Sequence, residues 1–378
     1  MSTFSTIPPS LICAVFAVLI FFVELVVWLK TIGKISFFKN SLDQNQNFPP
    51  VSIIICARNE GDNLTEFLPK ILLQNYPSEF EVIVVNDCSW DNTGDVLREY
   101  GKEFENLREI KIKEDEYYKH GKKFALMVGI KGAKYEHLLL TDADCYPNSE
   151  FWIKGIMSSF KSDTEIVLGY GAYKKEAGFI NKLIRYDTFK IGAHFLSSAL
   201  RKKAYMGIGR NLSYKKEIFF KNKGFSTHYH IPSGDDDLFI NQAATSSNVA
   251  VNFDSNTFTY SLPKKSFSEW VKQKSRHLQT SSLYKKESKN RLVIEHALPY
   301  LFWLMIIACF FLGLNFIFPL IVMLTRFIVQ FSIYYKAFKK LDEFDLIFYF
   351  IIFDFILLIC YPYFHLHRKL SKNNKWKN

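Results

Sequence analysis

The sequence predicts a mostly parallel α/β domain, Rossmann-like in its central sheet, held between N-terminal and C-terminal membrane helices. Three observations predict it. Between positions 48 and 263, short apolar runs ending in polar residues alternate with amphipathic stretches, the pattern of strands linked by helices around a parallel sheet. Long apolar runs flank that region on both sides. Aromatic residues make up 17% of the chain, with 37 Phe and 20 Tyr, a content heavy for a water-soluble core and suited to a lipid-facing surface.

The first run, residues 11–29, "LICAVFAVLIFFVELVVWL", is apolar but for Glu24. At about 1.5 Å per residue a helix of this length crosses a bilayer's hydrocarbon core. The stretch before it, "MSTFSTIPPS", lacks a basic residue, and no small-residue cleavage site follows the run. A retained anchor is therefore expected, not a cleaved signal. Lys30, Lys34 and Lys39 come next and place the following segment on the cytoplasmic side. Residues 1–47 thus read as anchor and linker.

In the polar region, "VSIIIC", "EVIVVN" and "HLLLTD" read as three buried strands. Between the first two, Leu64, Phe67, Leu68, Ile71 and Leu72 recur at helical spacing, with Asp62 or Asn63 as the expected cap. "SWDNTGDVLREYGKEF" supplies a second helix. The product is βαβαβ, and ligands of such sheets bind beyond the carboxyl ends of the strands. Each of these strands ends in polar residues: Arg58, Asn59 and Glu60, then Asn86 and Asp87, then Asp142 and Asp144.

Residues 264–296 are basic and partly amphipathic, and Phe267, Trp270 and Leu278 among lysines suit a helix at a membrane surface. Residues 297–365 hold three candidate spans, 297–318, 320–338 and 344–364, with Pro319 at the first break. Three crossings would carry the basic tail, 366–378, outside, against the positive-inside tendency. Two or three of the candidates are therefore expected to cross, the remaining one being re-entrant or interfacial. Net charge is +11, but the lysines are scattered and concentrate beside apolar spans. That points to anionic lipid and not to nucleic acid. The six cysteines show neither zinc nor disulfide spacing and are expected to be small buried residues.

Several residue sets carry chemistry. Asp142 and Asp144 stand two apart on an extended chain and point the same way, so they can share one hard cation, Mg²⁺ or Mn²⁺, which keeps positions open for phosphate oxygens. An ordinary strand-ending turn is the plainer reading of the same pair. "SGDDDLFI" offers consecutive acids that either decorate a helix N-terminus or include a proton acceptor. His228 and His230 lack a third metal ligand at telling spacing and read as loop structure. Of the two charged residues in apolar runs, Arg326 is expected to snorkel or to pair in the helix bundle, and Glu24 to make a helix contact.

Taken in order, "VSIIICARNE", "VVNDCSWDNT", "HGKKFALMVGI", "LLLTDADCYP", "GIGRNLSYKKEIF", "SGDDDLFI" and "QKSRH" resemble a membrane-bound family 2 glycosyltransferase with a GT-A nucleotide-sugar domain, of the branch that holds cellulose and hyaluronan synthases and ceramide glucosyltransferases. The resemblance covers residues 51–277. It implies that Ala57, Glu60 and Asp87 frame the base of a nucleotide, that Lys122 neutralises its diphosphate or contacts the base, and that Asp142 lies near ribose and metal. It further implies Asp144 as a direct metal ligand, Asp235 as the catalytic base with Asp236 as the neighbouring candidate, and Asp91 and Thr93 as capping residues. Arg276 would pair with diphosphate, while Asn211, Gln273 and His277 would meet the acceptor. Two positions depart from the pattern: Asn86 stands where an aspartate is usual, and His277 where a tryptophan stacks on the acceptor sugar. The implied activity is inverting transfer from a nucleotide sugar, a UDP-sugar first, to a lipid-linked or glycan acceptor at a bacterial plasma membrane. A processive polysaccharide synthase and a non-catalytic nucleotide-sugar-binding scaffold are the alternatives.

Overall fold

The computed structural model describes residues 7–38, 48–113 and 121–370; Lys39 with the rest of the linker to residue 47, and the tail past Leu370, lie outside them. The chain divides into two units, one of Met1–Phe38 with Lys285–Pro362, the other of Lys39–Tyr284 with Tyr363–Asn378. Helices α1 (Pro9–Lys30) and α2 (Ile32–Phe37) open the first unit. The second runs β1 (Val51–Ala57), α3 (Gly61–Leu72), β2 (Phe80–Asp87), α4 (Thr93–Glu103), β3 (Leu107–Ile112), α5 (Lys122–Gly132), β4 (His137–Asp142) and β5 (Cys145–Pro147). It continues with α6 (Trp152–Met157), β6 (Ile166–Gly169), β7 (Gly171–Tyr173), α7 (Phe179–Leu200), β8 (Leu212–Lys215), α8 (Lys216–Lys221), α9 (Asp237–Ala243), β9 (Val249–Asn252), β10 (Thr259–Ser261) and α10 (Phe267–His277). Then come α11 (Lys286–Phe311), α12 (Ile317–Lys340) and α13 (Phe350–Leu370), the last contributing Tyr363 onward to the second unit.

The main sheet has the order β3-β2-β1-β4-β8-β6-β9. The expected strands β1, β2 and β4 pair in parallel at its middle, β3 extends the parallel edge, and β8 enters antiparallel to both β4 and β6. Strand β1 reads "VSIIICA" without alternation because helices cover both faces, so nearly every residue is buried. On one face Leu64, Leu68 and Ile71 of α3 and Ile153 and Ile156 of α6 pack on Ile53, Ile55, Val82 and Val84. A second sheet of three short strands, β5-β10-β7, stands beside Asp144.

Helix α3 begins one residue before the expected cap, and Asp62 sits within its first turn. Its orphan amides are satisfied from the next loop: Glu60 N donates to Thr93 Oγ1 at 3.0 Å and Gly61 N to the Asp91 carboxylate at 3.1 Å. A cap supplied across 30 residues leaves no local signature. The expected surface helix of region 264–296 is α10 alone. Its Trp270 is buried against Phe267 and Phe364, and its Lys274 forms a buried ion pair with Asp187 of α7 at 2.7 Å. That face of α10 packs on protein, not on lipid.

Asn211, expected at the acceptor site, is a core residue. Its Nδ2 donates to the carbonyls of Tyr170 and Thr257, both at 2.8 Å, and its Oδ1 accepts from Trp152 Nε1 at 3.1 Å. The amide is buried with its donors and acceptor engaged, which leaves nothing to offer a sugar. Cys145, Cys309 and Cys360 are buried as expected, whereas Cys13, Cys56 and Cys88 are half-buried.

In the first unit, α1, α11, α12 and α13 are long and apolar enough to cross a membrane. Helix α11 starts earlier than the apolar pattern suggests, since its polar turns from Lys286 continue the same helix. The break before α12 is not at Pro319. Gly313, at φ +74°, ends α11, and Pro319 falls in the first turn of α12, where its missing N–H costs no helical hydrogen bond. Glu24 and Arg326 do pair: Arg326 Nε donates to Glu24 at 2.8 Å and Nη2 at 3.2 Å, and Gln330 passes the network on to Asp354. Trp28, Phe302 and Trp303 surround the guanidinium at 4.8–5.5 Å from their centroids.

Two outcomes follow for stability. Asn211→Ala strands two carbonyls and an indole N–H, and is expected to destabilise by about 2–4 kcal/mol, read as a lower midpoint in detergent thermal unfolding. Glu24→Leu alone leaves Arg326 buried without its carboxylate and should cost about 3–5 kcal/mol, whereas Glu24→Leu with Arg326→Met should recover most of that loss in the same measurement.

Candidate active site

The carboxyl ends of β1, β2 and β4 converge, and the loops beyond them are stitched together. Asn59 N donates to Ser89 Oγ at 3.0 Å and Trp90 N to Asn59 Oδ1 at 3.0 Å. Asn59 and Cys88 both adopt left-handed backbone, φ 54° and 53°, which folds each strand tip sharply back. Asp87 ends β2 fully buried. Beside it, Asn86 donates to Glu109 of β3 at 2.8 Å and accepts from Ser89 N at 3.3 Å. An amide, unlike a carboxylate, can do both, which accounts for Asn at this position. Ala57 is buried at the tip of β1, and Glu60 accepts from Asn63 at 2.6 Å at the start of α3.

Lys122, the first residue of α5, is the centre of the cleft. Its Nζ lies 2.8 Å from Asp142 at the end of β4 and 3.1 Å from Asp235, with its side chain 24% exposed. A freely solvated lysine is excluded by that geometry. Burial by itself lowers the lysine pKa, but the charges of Asp142, Asp235 and Asp236 outweigh it and hold the ammonium well above its usual range. Cys56, Thr141, Gly209, Asp235 and Asp236 line the same cleft.

The three consecutive acids have three different environments. Burial raises the Asp235 carboxyl, yet the charge and hydrogen bond of Lys122 bring it below the ordinary carboxylate value. Asp236 caps α9, accepting from Asp237 N and from Gly209 N, both at 2.7 Å. Burial first, then the charges of Asp235 and Asp237, push its pKa up to about 7. Asp237 points away, accepting the hydroxyls of Thr280 and of Tyr284, the latter at 2.7 Å, and ties α9 to the segment after α10.

Asp142, Asp144 and Cys145 present ligand atoms within 4.8 Å of one another. Burial, then Asp142 and Glu60, raise the Asp144 carboxyl, the sign of uncompensated negative charge that a cation relieves. The buried Cys145 thiol is pushed well above its usual range and contacts Ser261 Oγ at 2.8 Å. The donor set is therefore two carboxylates, which fit a hard divalent ion. Among the described residues no other cluster of this kind occurs.

Of the "QKSRH" residues, Gln273 donates to Tyr173 Oη at 3.1 Å, and the Tyr173 ring holds the Arg210 guanidinium 4.4 Å from its centroid. Arg210, next to Asn211 in "GIGRNLSY", is the residue that sequence reasoning passed over; Gly171 O accepts from it at 2.7 Å. His277 is exposed at the end of α10, yet the protein packed around it, then the charges of Arg276, Lys274, Arg210 and Lys122, hold its imidazole well below the usual range. Arg276, His277, Arg210 and Lys122 thus share one electropositive surround.

The family model described as glycosyl transferase family 2 matches residues 52–221. The chain is 30% identical to glycosyltransferase AglE of Haloferax volcanii over 37% of this chain and 45% of that one. It is also 30% identical to the dolichyl N-acetyl-alpha-D-glucosaminyl phosphate 3-beta-D-2,3-diacetamido-2,3-dideoxy-beta-D-glucuronosyltransferase of Methanococcus voltae, over 46% of this chain and 50% of that one. The chain thus spans about half the length of these curated relatives. Among solved structures, the mannosyltransferase PcManGT of Pyrobaculum calidifontis, in complex with GDP-Man and Mn²⁺, superposes with a TM-score of 0.57 at 16% identity, covering 90% of this chain and 98% of that one; this likeness concerns the fold. Residues 52–221 thus form a glycosyl transferase family 2 domain on a GT-A sheet, and among the described residues four apolar helices accompany it.

Proposed function

We propose that the chain transfers a sugar, with inversion, from a nucleotide diphosphate sugar to an acceptor held at a membrane. The observation that carries the reading is the meeting of Lys122 with Asp142 on one side and Asp235 on the other. A cation-binding carboxylate, a diphosphate-neutralising ammonium and a proton-accepting carboxylate are the three groups that a displacement at an anomeric carbon requires. The apolar helices favour an acceptor that is itself lipid-linked, as the name of the Methanococcus voltae relative states for that enzyme.

Asp235 takes the proton of the acceptor hydroxyl as that oxygen attacks the anomeric carbon on the face opposite the leaving diphosphate. Lys122 keeps Asp235 ionised before attack and offers its ammonium to the diphosphate as negative charge develops there. Asp236 orients the Gly209 backbone beside them. Asp87, with Ala57 and Glu60, receives the base, and UDP is the nucleotide of first choice. Asp142 and Asp144 would hold Mg²⁺ or Mn²⁺, which when bound supplies Lewis acidity toward the diphosphate. Arg276 and His277 face the acceptor or diphosphate side, with Gln273 acting through Tyr173 and not directly. One sugar added per acceptor after a single donor pulse separates this reading from processive synthesis.

The test is transfer by the membrane-reconstituted chain from a panel of nucleotide sugars with Mn²⁺ or Mg²⁺. Asp235→Asn is expected to lower kcat by about 10²–10⁴-fold with nucleotide binding retained, and Asp144→Asn to weaken Mn²⁺ binding followed by paramagnetic resonance. Retained turnover in Asp235→Asn rejects its role as base, and nucleotide binding without turnover on any donor favours a scaffold.

Lys122→Met gives a pH signature. In the native chain Asp235 lies below the ordinary carboxylate value and stays ionised across neutral pH. Without the ammonium, burial is opposed only by a backbone hydrogen bond and the charge of Lys123, and the carboxyl rises. The acid limb of the kcat/KM profile should therefore move to higher pH, alongside a loss at every pH.

A further inference from the structure

Among the described residues four helices are long and apolar enough to cross a membrane, α13 having the lowest mean hydropathy, 1.6. Side-chain contacts set their directions. Arg326 of α12 lies over Phe302 and Trp303 of α11, and the short link from Leu312 to Phe316 makes α11 and α12 an antiparallel hairpin. A straight helix that crosses with them must run parallel to one and antiparallel to the other. Helix α13 does neither. Along α12 its contacts descend, Phe350 to Tyr334 and Asp354 to Gln330. Along α11 they descend too, Phe355 to Trp303, Leu358 O to Tyr300 Oη, and Tyr361 to His296. Only a helix lying across the pair is antiparallel in residue order to both.

The far end of α13 gives an independent count. Phe364 packs on Trp270, His367 Nδ1 lies 2.9 Å from Ser275 Oγ, and Arg368 donates to the carbonyl of Leu278 at 2.6 Å. Residues from Tyr363 are thus part of the same unit as Tyr284. The chain between Tyr284 and Tyr363 must cross the bilayer an even number of times, yet it contains three apolar helices.

We infer that α1, α11 and α12 cross the membrane and that α13 lies in the plane of its cytoplasmic face, a lipid-binding helix whose partner is the anionic headgroup layer. Its outward stripe, Ile352, Ile359, Leu366 and Leu370, is exposed along its length, as an interfacial helix requires. Lys369 in its last turn is exposed and matches anionic headgroups. With this topology Lys30, Lys34, Lys336, Lys339, Lys340 and Lys369 share one side, while the link from Leu312 to Phe316 on the other carries no charge.

The inference rests on reading the apolar helices as membrane segments, and the experiment separates the two. Lys102→Cys, Asn315→Cys and Lys369→Cys, each in the full chain, are treated with a membrane-impermeant maleimide in sealed vesicles of known orientation, and the modified peptide is identified by mass. Lys102 and Lys369 modified from one side and Asn315 from the other is the expected result. Lys369 modified together with Asn315 means four crossings and overturns the in-plane helix while the membrane reading stands. Lys102 and Asn315 modified from the same side overturns the membrane reading, and the inference with it.

Discussion

One ammonium group carries the arrangement of the cleft. Asp142, Asp235 and Asp236 reach it from the end of β4 and the start of α9, elements far apart in the chain. Carboxylates gathered this closely repel one another strongly where water is scarce. Lys122 meets two of them directly and lowers the charge of all three, so α5 must begin where it does for β4 and α9 to approach. The position of α5 is in turn set by Ala125, Leu126 and Ile130, buried against the sheet. Packing therefore positions the charge, and the charge permits the packing of the acids.

Each acid has a different job because each has a different neighbour. Asp235 faces a cation and stays ionised; Asp236 faces two backbone amides and two other carboxylates; Asp237 faces hydroxyls. Three identical side chains in a row are thus separated in function by less than one turn of helix. The same economy is seen at Asn86 and Asn211, where an amide that both donates and accepts joins two segments that a carboxylate could not.

Much of this architecture is legible in the residues alone. Strands β1, β2 and β4 announce themselves because they are buried on both faces and so are apolar without interruption. Asp142 and Asp144 stand out because they stand two apart at the end of such a strand, where an extended chain points both the same way. The half of the sheet beyond β4, which holds the antiparallel β8, is not legible: β6, β8 and β9 are four residues each, too short for periodicity to separate them from loops. Asn211 misleads for a related reason, since an asparagine in a motif looks the same whether it faces a ligand or three segments of its own core. Arg210 beside it gives no signal. Its role depends on the Tyr173 ring and the Gly171 carbonyl, contacts that no local pattern encodes. The break before α12 is misplaced when proline is weighted above glycine, because a first-turn proline is compatible with a helix and left-handed Gly313 ends one.

The Asp237 anchor turns α9 into a lever. Thr280 and Tyr284 grip its first residue, and Asp235 precedes that residue by only two positions. Between the grip and the reacting carboxylate there is no slack segment to absorb motion. Any displacement of the chain that follows "QKSRH" is transmitted as a tilt of the carboxylate facing Lys122, so the geometry of proton abstraction is held from a point well outside the cleft where that proton is taken.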